Sequence, residues 1–490
     1  MRVDARHLFL RRASSAKHTA LQAALEAEMT EASGRRRGEP IREDIHMDTE
    51  THKRKEQLHQ FLVNRRAILS GGAAAVAAAA LPSFSRTARA GPSTPMRFIG
   101  WQYNPQIVSE NVETFKKLYH ENVEYELVPG EYHAIAETKL LAGQHIDMMY
   151  SEEDRIVRWT KAGWTRTLDG LPGLDAIKAS MYPVNVEDMS LPTGGLGGLP
   201  YYTGFNSFVA NEKHLDAAKL QPPSTWEEFL DQCRKLKRDK VAEFPYICAW
   251  GRQWASLSWS LFAIWYSEGA KVFGANFDPV FDEPFKKVLE MHRTIYKERI
   301  IPPDVFTQQG ESVPNFATGQ HTYMVVHDYD QKVFNTSAMS HIAGAARNFI
   351  MPGKTRSTFV WTAVYQMGAK PVDEMRVWNL MQFFGGKAKD GQYHVAKRWA
   401  LEFGLGTPYK EVIEDPEVQK SFSVWKDMKI AAQQLETATT RDVAKAMWFP
   451  EWDWFMMGEV QDYIRGQGST DELVDKLQKK ATEVKALYPE

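Results

Sequence analysis

Between residues 96 and 163 short apolar runs alternate with longer amphipathic ones. Met96–Trp101 reads as a strand ending in the loop 102–105. In 109–120 apolar residues recur at helical spacing, with Val112, Phe115, Leu118 and Tyr119 on one face. Segment 122–129 alternates as a second strand, and 132–142 is a helix stopped by Gly143. A short buried strand follows at 146–150, then a helix at 154–162 followed by Gly163. Such alternation predicts an α/β fold with a mainly parallel sheet covered on both faces.

The Gly-rich stretch LPTGGLGGLPYYTGFNSFVANEKHL reads as a loop turning into a strand at 201–210. Next, a proline pair precedes Ser224 or Thr225 as N-cap, with Glu227 and Glu228 in the first turn of a long helix. Segments 258–266 and 284–296 have helical patterns. A turn at 316–319 leads to a buried strand at 321–326, and 359–367 is a further strand. The pattern is helical again at 372–384, 393–403 and 417–435, and the chain closes with helices at 454–465 and 470–487. No internal repeat is visible.

The segment VNRRAILSGGAAAVAAAALPSFSRTARAG, residues 63–91, follows neither pattern. Its uncharged run is mostly Ala and Gly and contains Pro82. The strictly apolar part, 71–81, is about half of the roughly 20 residues a spanning helix needs. A charged start, a short apolar middle and Ala88-Arg89-Ala90 instead make a cleavable signal peptide. Arg65-Arg66 points to twin-arginine export, which carries folded proteins. Leu69 fits that pattern, whereas Asn64, Ile68 and Ser70 depart from it; the alternative is an ordinary Sec signal. Met47 lies at a normal distance before the pair, so 1–46 is expected to be an over-long extension and 47–90 the signal; the alternative is a genuine disordered leader. The exported protein then starts at Gly91, in the periplasm.

Cleavage there leaves about 400 residues, more than one typical domain, so two lobes are expected. The chain is 43% hydrophobic and 25% charged with a net charge of −2, which gives no electrostatic case for nucleic acid or acidic lipid. No second stretch is long and apolar enough to span a bilayer, so the mature protein is expected to be soluble. No cysteine follows the signal directly, which argues against a lipid anchor. Cys233 and Cys248 make at most one disulfide, too few for a scaffold. The unusual feature is 15 Trp beside 18 Tyr and 25 Phe. Core packing accounts for most Phe; Trp and Tyr beside Gly, Pro and Asp suit a wet, stacking binding site.

Patterns for chemistry are absent. There is no G-x-S-x-G elbow, H-E-x-x-H helix or EF-hand loop. Gly353-Lys354-Thr355 ends like a phosphate loop, but Asn348 stands where its first Gly belongs. The 14 His lack metal-ligand spacing, and GGLGG lacks dinucleotide spacing. Glu152-Glu153-Asp154, or Glu451 and Asp453, could supply glycosidase carboxylates, but such clusters are usual at solvated helix starts. The expectation is no enzyme, no catalytic residue, no metal and no cofactor.

Four phrases, in order, carry a resemblance. They are TKLLAGQHIDMMYSEEDRIVRWTKAGWTRTLDGL, GLPYYTGFNSFVANEKHLDAAKLQPPSTWEEFLDQCRKLK, FATGQHTYMVVHDYD and the closing segment 454–480. Together they resemble the extracellular solute-binding proteins of carbohydrate ABC importers, the family that includes maltose-binding protein. Phe208-Val209-Ala210 departs from the Tyr-Tyr or Leu-Tyr usual before the Asn. The likeness spans nearly all of 96–490. It implies a periplasmic-binding-protein fold: two α/β lobes joined by crossovers near 203–207, 360–366 and 437–447, with ligand in the cleft. Lobe 1 would comprise 91–204 and 361–440, and lobe 2 would comprise 205–360 and 441–490. The partners it implies are a sugar or polyol, the permease subunits of an importer in the inner membrane and the export machinery, with the protein itself a monomer and no nucleic acid bound.

Sugars present C–H faces and hydroxyls, so a site needs stacking rings and planar hydrogen-bonding groups. The loop candidates are Trp101, Tyr103, Glu153, Asp154, Tyr201 and Tyr202, then Trp250, Arg252 and Trp254. Asp328, Tyr329, Trp361, Tyr365, Trp452 and Trp454 complete them, while Trp259 and Trp265 read as core. By resemblance, Asp154, Tyr329 and Trp454 match or adjoin pocket-lining positions. The expected ligand-binding set is Trp101, Tyr103, Glu153, Asp154, Tyr202, Trp254, Asp328, Tyr329, Trp361, Tyr365 and Trp454. Arg155, Arg252 and Arg347 keep a phosphorylated solute open. An amine or a peptide as the solute, and an exported glycoside-active enzyme as the function, stay open as well.

Overall fold

The computed structural model describes residues 94–253, 256–308, 311–335, 338 and 340–488. The expected extension, signal peptide and cleavage site lie outside these residues, as does Trp254. Among the described residues nine strands form the sheet: β1 (Met96–Trp101), β2 (Val123–Val128), β3 (Met148–Ser151), β4 (Thr165–Arg166), β5 (Leu199–Asn211), β6 (Tyr246–Ile247), β7 (Tyr323–His327), β8 (Ala346–Phe349) and β9 (Val360–Gly368). Their order is β2-β1-β3-β9-β5-β7-β6, with β4 on β9 and β8 on β5.

The expectation of a mainly parallel sheet needs correction. β1 runs parallel to β2 and β3, and β6 to β7, but every pairing of β5 and β9 is antiparallel. The parallel pairs come from the short strand–helix–strand units that the alternation reveals. β5 and β9 are long strands inserted from distant parts of the chain. All nine residues of β9 are buried, and a strand buried on both faces is a continuous apolar run whatever its direction.

β5 changes partners along its length. Leu199–Phe205 pair with β9, across a bulge between Pro200 and Tyr202; Asn206–Asn211 pair with β7 and β8. One 13-residue strand thus serves two regions of sheet.

The helices follow local chemistry. Helix Pro105–Tyr119 starts four residues before its apolar periodicity, because Pro105 fits a first helical position and Asn104 takes a left-handed φ of 44° before it. Thr225 caps Trp226–Arg238, accepting from the Glu228 amide. The single helix expected at 417–435 is two, Pro416–Phe422 and Met428–Glu436; Asp427 caps the second at the Lys429 and Ile430 amides. Residues 316–317, expected in a turn, end the short helix Ser312–Ala317, and the turn falls at Gly319, φ 82°. Both cysteines are buried and unpaired. No helix among the described residues is long and apolar enough to cross a membrane.

Candidate functional site

Rings gather where the central strands end or cross. Tyr202 on β5 lies edge-to-face against Trp361 of β9, centroids 5.0 Å apart, and 6.2 Å from Tyr329, just past β7. Tyr329 is 6.3 Å from Trp361 and stacks on His327 at 5.4 Å. Gly204 permits this approach: a Cβ there would lie 3.1 Å from the Trp361 ring and 3.3 Å from Asp328 Oδ1. Behind Tyr202, Tyr201 stacks on Tyr150 at 4.6 Å and meets Trp101, at the end of β1, at 5.6 Å. Tyr103 lies on Trp399, 5.9 Å away.

Carboxylates surround the rings. Asp328 is buried and ion-paired with Lys426 at 2.8 Å. Asp154 pairs with its neighbour Arg155. Glu153, the first residue of helix Glu153–Lys161, is buried and accepts a 2.7 Å hydrogen bond from Arg441 Nη2. Burial, with the Asp328 charge adding to it, pushes Asp330 up to about 7. Burial also raises Glu152, against the opposing pull of Arg155. Burial and the Asp330 charge push the Tyr103 hydroxyl up to about 12, and burial lowers His327 to about 4. At neutral pH these tyrosines are phenols and His327 is a neutral imidazole. Trp361 Nε1 and Tyr201 Oη are buried donors without a hydrogen-bond partner, and His327 Nδ1 is an unpartnered ring nitrogen beside them, so neutral polar groups lie among the rings. That combination suits stacking and hydrogen bonding to an uncharged polar ligand.

The expected site residues fall into groups. Trp101, Tyr202, Tyr329 and Trp361 come together through ring contacts, Trp101 by way of Tyr201, and Tyr103 joins them through Trp399, 5.4 Å from Tyr201. Trp361 is only 4% exposed, wedged among Tyr202, Trp259 and His327. Tyr365 is fully buried against Tyr150, Tyr201 and Phe384. Trp454 is 45% exposed, with the Arg252 guanidinium 3.9 Å over its ring. Trp250, Trp265 and Trp452 are core. Trp259, read as core, is partly buried and packs on Trp361 at 4.9 Å and His327 at 5.2 Å. Of the glycosidase candidates, Glu451 is ion-paired with Lys480, and Asp453 accepts from Ser258 Oγ at 2.5 Å.

Sequence reasoning missed His327, Asp330, Lys426 and Arg441. His327 and Asp330 flank named candidates in VVHDYD and were accessible as the rest of that strand end. Lys426 and Arg441 carried no signal, because each finds its carboxylate far away in the chain. No cluster of His, Cys, Asp or Glu among the described residues could hold a metal ion.

The profile described as bacterial extracellular solute-binding protein matches residues 102–356. No curated protein matches the chain. Among solved structures, maltose-bound MalE3 of T. maritima is 17% identical, covering 80% of this chain and 99% of that one, with a TM-score of 0.68. The sugar-binding protein MalE of Xanthomonas citri is also 17% identical, covering 80% and 98%, with a TM-score of 0.68. A solute-binding protein of Agrobacterium vitis S4 with bound D-mannitol is 17% identical, covering 81% and 100%, with a TM-score of 0.65. At such identities the likeness is one of fold, that of the periplasmic binding proteins.

Proposed function

Because the chain belongs to the bacterial extracellular solute-binding proteins, we propose that it captures a sugar or polyol in the periplasm and delivers it to the permease of an ABC importer. The observation that carries this reading is the gathering of Tyr202, Tyr329 and Trp361, with unpartnered donors, where β5, β7 and β9 meet. Ligands of the structural neighbours, maltose and D-mannitol, have the same demands. Trp101, Tyr103, Asp154, Tyr202 and Tyr329 would face the solute; Trp361 and Tyr365 would back them. Glu153 and Asp328, held in ion pairs, would shape the acidic loops, and Trp454, exposed beneath the Arg252 guanidinium, would add a contact.

In this proposal two lobes, 91–204 with 361–440 and 205–360 with 441–490, meet at the partner change of β5. The segment 47–90 serves as a twin-arginine signal, and the mature protein works as a monomer. A thermal-shift screen of maltose, D-mannitol, ribitol, D-tagatose, chitin oligosaccharides and polyol phosphates tests the reading, followed by calorimetry on the best ligand. Saturable binding without turnover of chromogenic glycosides is expected. Turnover, or binding confined to a phosphorylated solute and lost steeply with salt, would replace it.

A further inference from the structure

Arg441 has surroundings that its position in the chain does not foretell. It lies in the segment after helix Met428–Glu436, and its side chain is 6% exposed. Four rings surround its guanidinium carbon: Trp259 at 4.9 Å, Phe262 at 5.4 Å, Phe359 at 5.2 Å and Phe449 at 5.5 Å. Trp259 and Phe262 belong to helix Ser256–Glu268, Phe449 opens helix Phe449–Ile464, and Phe359 immediately precedes β9. The cage is therefore built from three segments and filled by a fourth.

Out of this cage one nitrogen reaches Glu153, 2.7 Å away, at the start of the helix that follows β3. Another lies 3.5 Å from Ser258 Oγ, which itself donates to Asp453. Burial works against the guanidinium charge, but Glu153 and Asp453 outweigh it and hold Arg441 firmly protonated. Rings attract a cation face-on, and a planar fork bonds a carboxylate in one orientation. A buried ion pair of this kind yields fixed geometry more than net stability, since an apolar side chain could fill the same space at similar free energy. The geometry fixed here is that of the acidic helix start Glu152-Glu153-Asp154, which directly follows β3, whose Tyr150 stacks on Tyr201 at 4.6 Å, itself 4.8 Å from Tyr202.

We propose that Arg441 is a positioning residue of the solute site: its caged guanidinium holds Glu153, sets the acidic turn 152–154 against the rings and ties that turn to helices Ser256–Glu268 and Phe449–Ile464. Retention of the bound solute then depends on a side chain that does not touch it. The inference rests on the solute-binding reading for its ligand effects, and on the contacts alone for its effect on the turn.

Three variants test it: Arg441→Lys, Glu153→Gln and the double variant, with melting curves as the control for folding. Calorimetry and stopped-flow release are read with the best solute of the screen. Either single change is expected to weaken binding at least tenfold, mainly through faster release, in protein that still melts cooperatively. The double variant should be no worse than the weaker single one, because the two residues act as one unit. Binding within twofold of wild type in either folded single variant, or losses that multiply in the double, would overturn the proposal. Should Arg441→Lys not fold, Glu153→Gln carries the same comparison. If wild type binds nothing in the screen, the solute reading falls, but amide exchange still judges the contact. The first turn of helix Glu153–Lys161 should then exchange at least tenfold faster in Glu153→Gln, and equal protection would sink the idea.

Discussion

Trp361 and Trp454 resemble one another in sequence, as rings beside loops, but their environments differ. Trp361 is buried among other rings, so Trp361→Ala leaves a cavity and is expected to cost about 3–5 kcal/mol of stability along with any affinity. Trp454 is 45% exposed, so Trp454→Ala should lower the melting point little, losing about 0.5–1 kcal/mol with the Arg252 contact. Tyr202→Ala should cost about 2–4 kcal/mol in calorimetric affinity if its ring stacks on solute. Asp330 makes a pH test. Its carboxyl titrates at about 7 in the fold against an ordinary 3.8, so between those values the folded protein keeps a proton the unfolded chain has lost. Stability therefore falls as pH rises across that window, and the loss is complete above about 7. Asp330→Asn should flatten this part of the melting-temperature profile; an unchanged slope would place the titration elsewhere, as at Asp453, which burial raises to about 6. Composition next to turns pointed to Tyr202 and Tyr329. Asp330 lay beside them in VVHDYD, but nothing pointed to Arg441, whose character comes from burial and from a partner distant in the chain.

Elements were legible where local chemistry sets their limits. Ser469 and Glu472 form a reciprocal capping box at the start of helix Thr470–Leu487, and the sequence reading has the same bounds. Ser469→Ala is expected to cost about 1 kcal/mol by denaturant titration. Where a cap interrupts a continuing apolar pattern, periodicity misleads: Asp427 restarts a helix inside a run that reads as one. Asp427→Ala should therefore destabilise by a similar amount, about 1 kcal/mol, rather than fuse the two helices. β4 and β6, two residues each, and β8, four residues, left no pattern to read. They exist because longer strands offer them an edge.

At the scale of the molecule, the order of elements and the family likeness were both in the sequence, whereas strand direction was not. β9 settles it by lying between β3 and β5, antiparallel to each. If the two regions that share β5 close on a solute, small-angle scattering should show a smaller radius of gyration at saturation; an unchanged profile would argue against a hinge. The central place of β9 also has a consequence in time. β5 leaves the ribosome about 150 residues, and β3 about 210 residues, before the strand that joins them, roughly 8–40 s at ordinary synthesis rates. Throughout that interval both have an open edge, ready to pair with a neighbouring nascent chain. Stalled chains that end before residue 360 should be digested readily by protease, and chains released beyond residue 368 should gain protection in the β1–β5 region. A transporter that accepts only finished proteins would allow for this wait, whereas threading the chain as it is made would carry the unmatched strands across the membrane and leave their pairing to the far side.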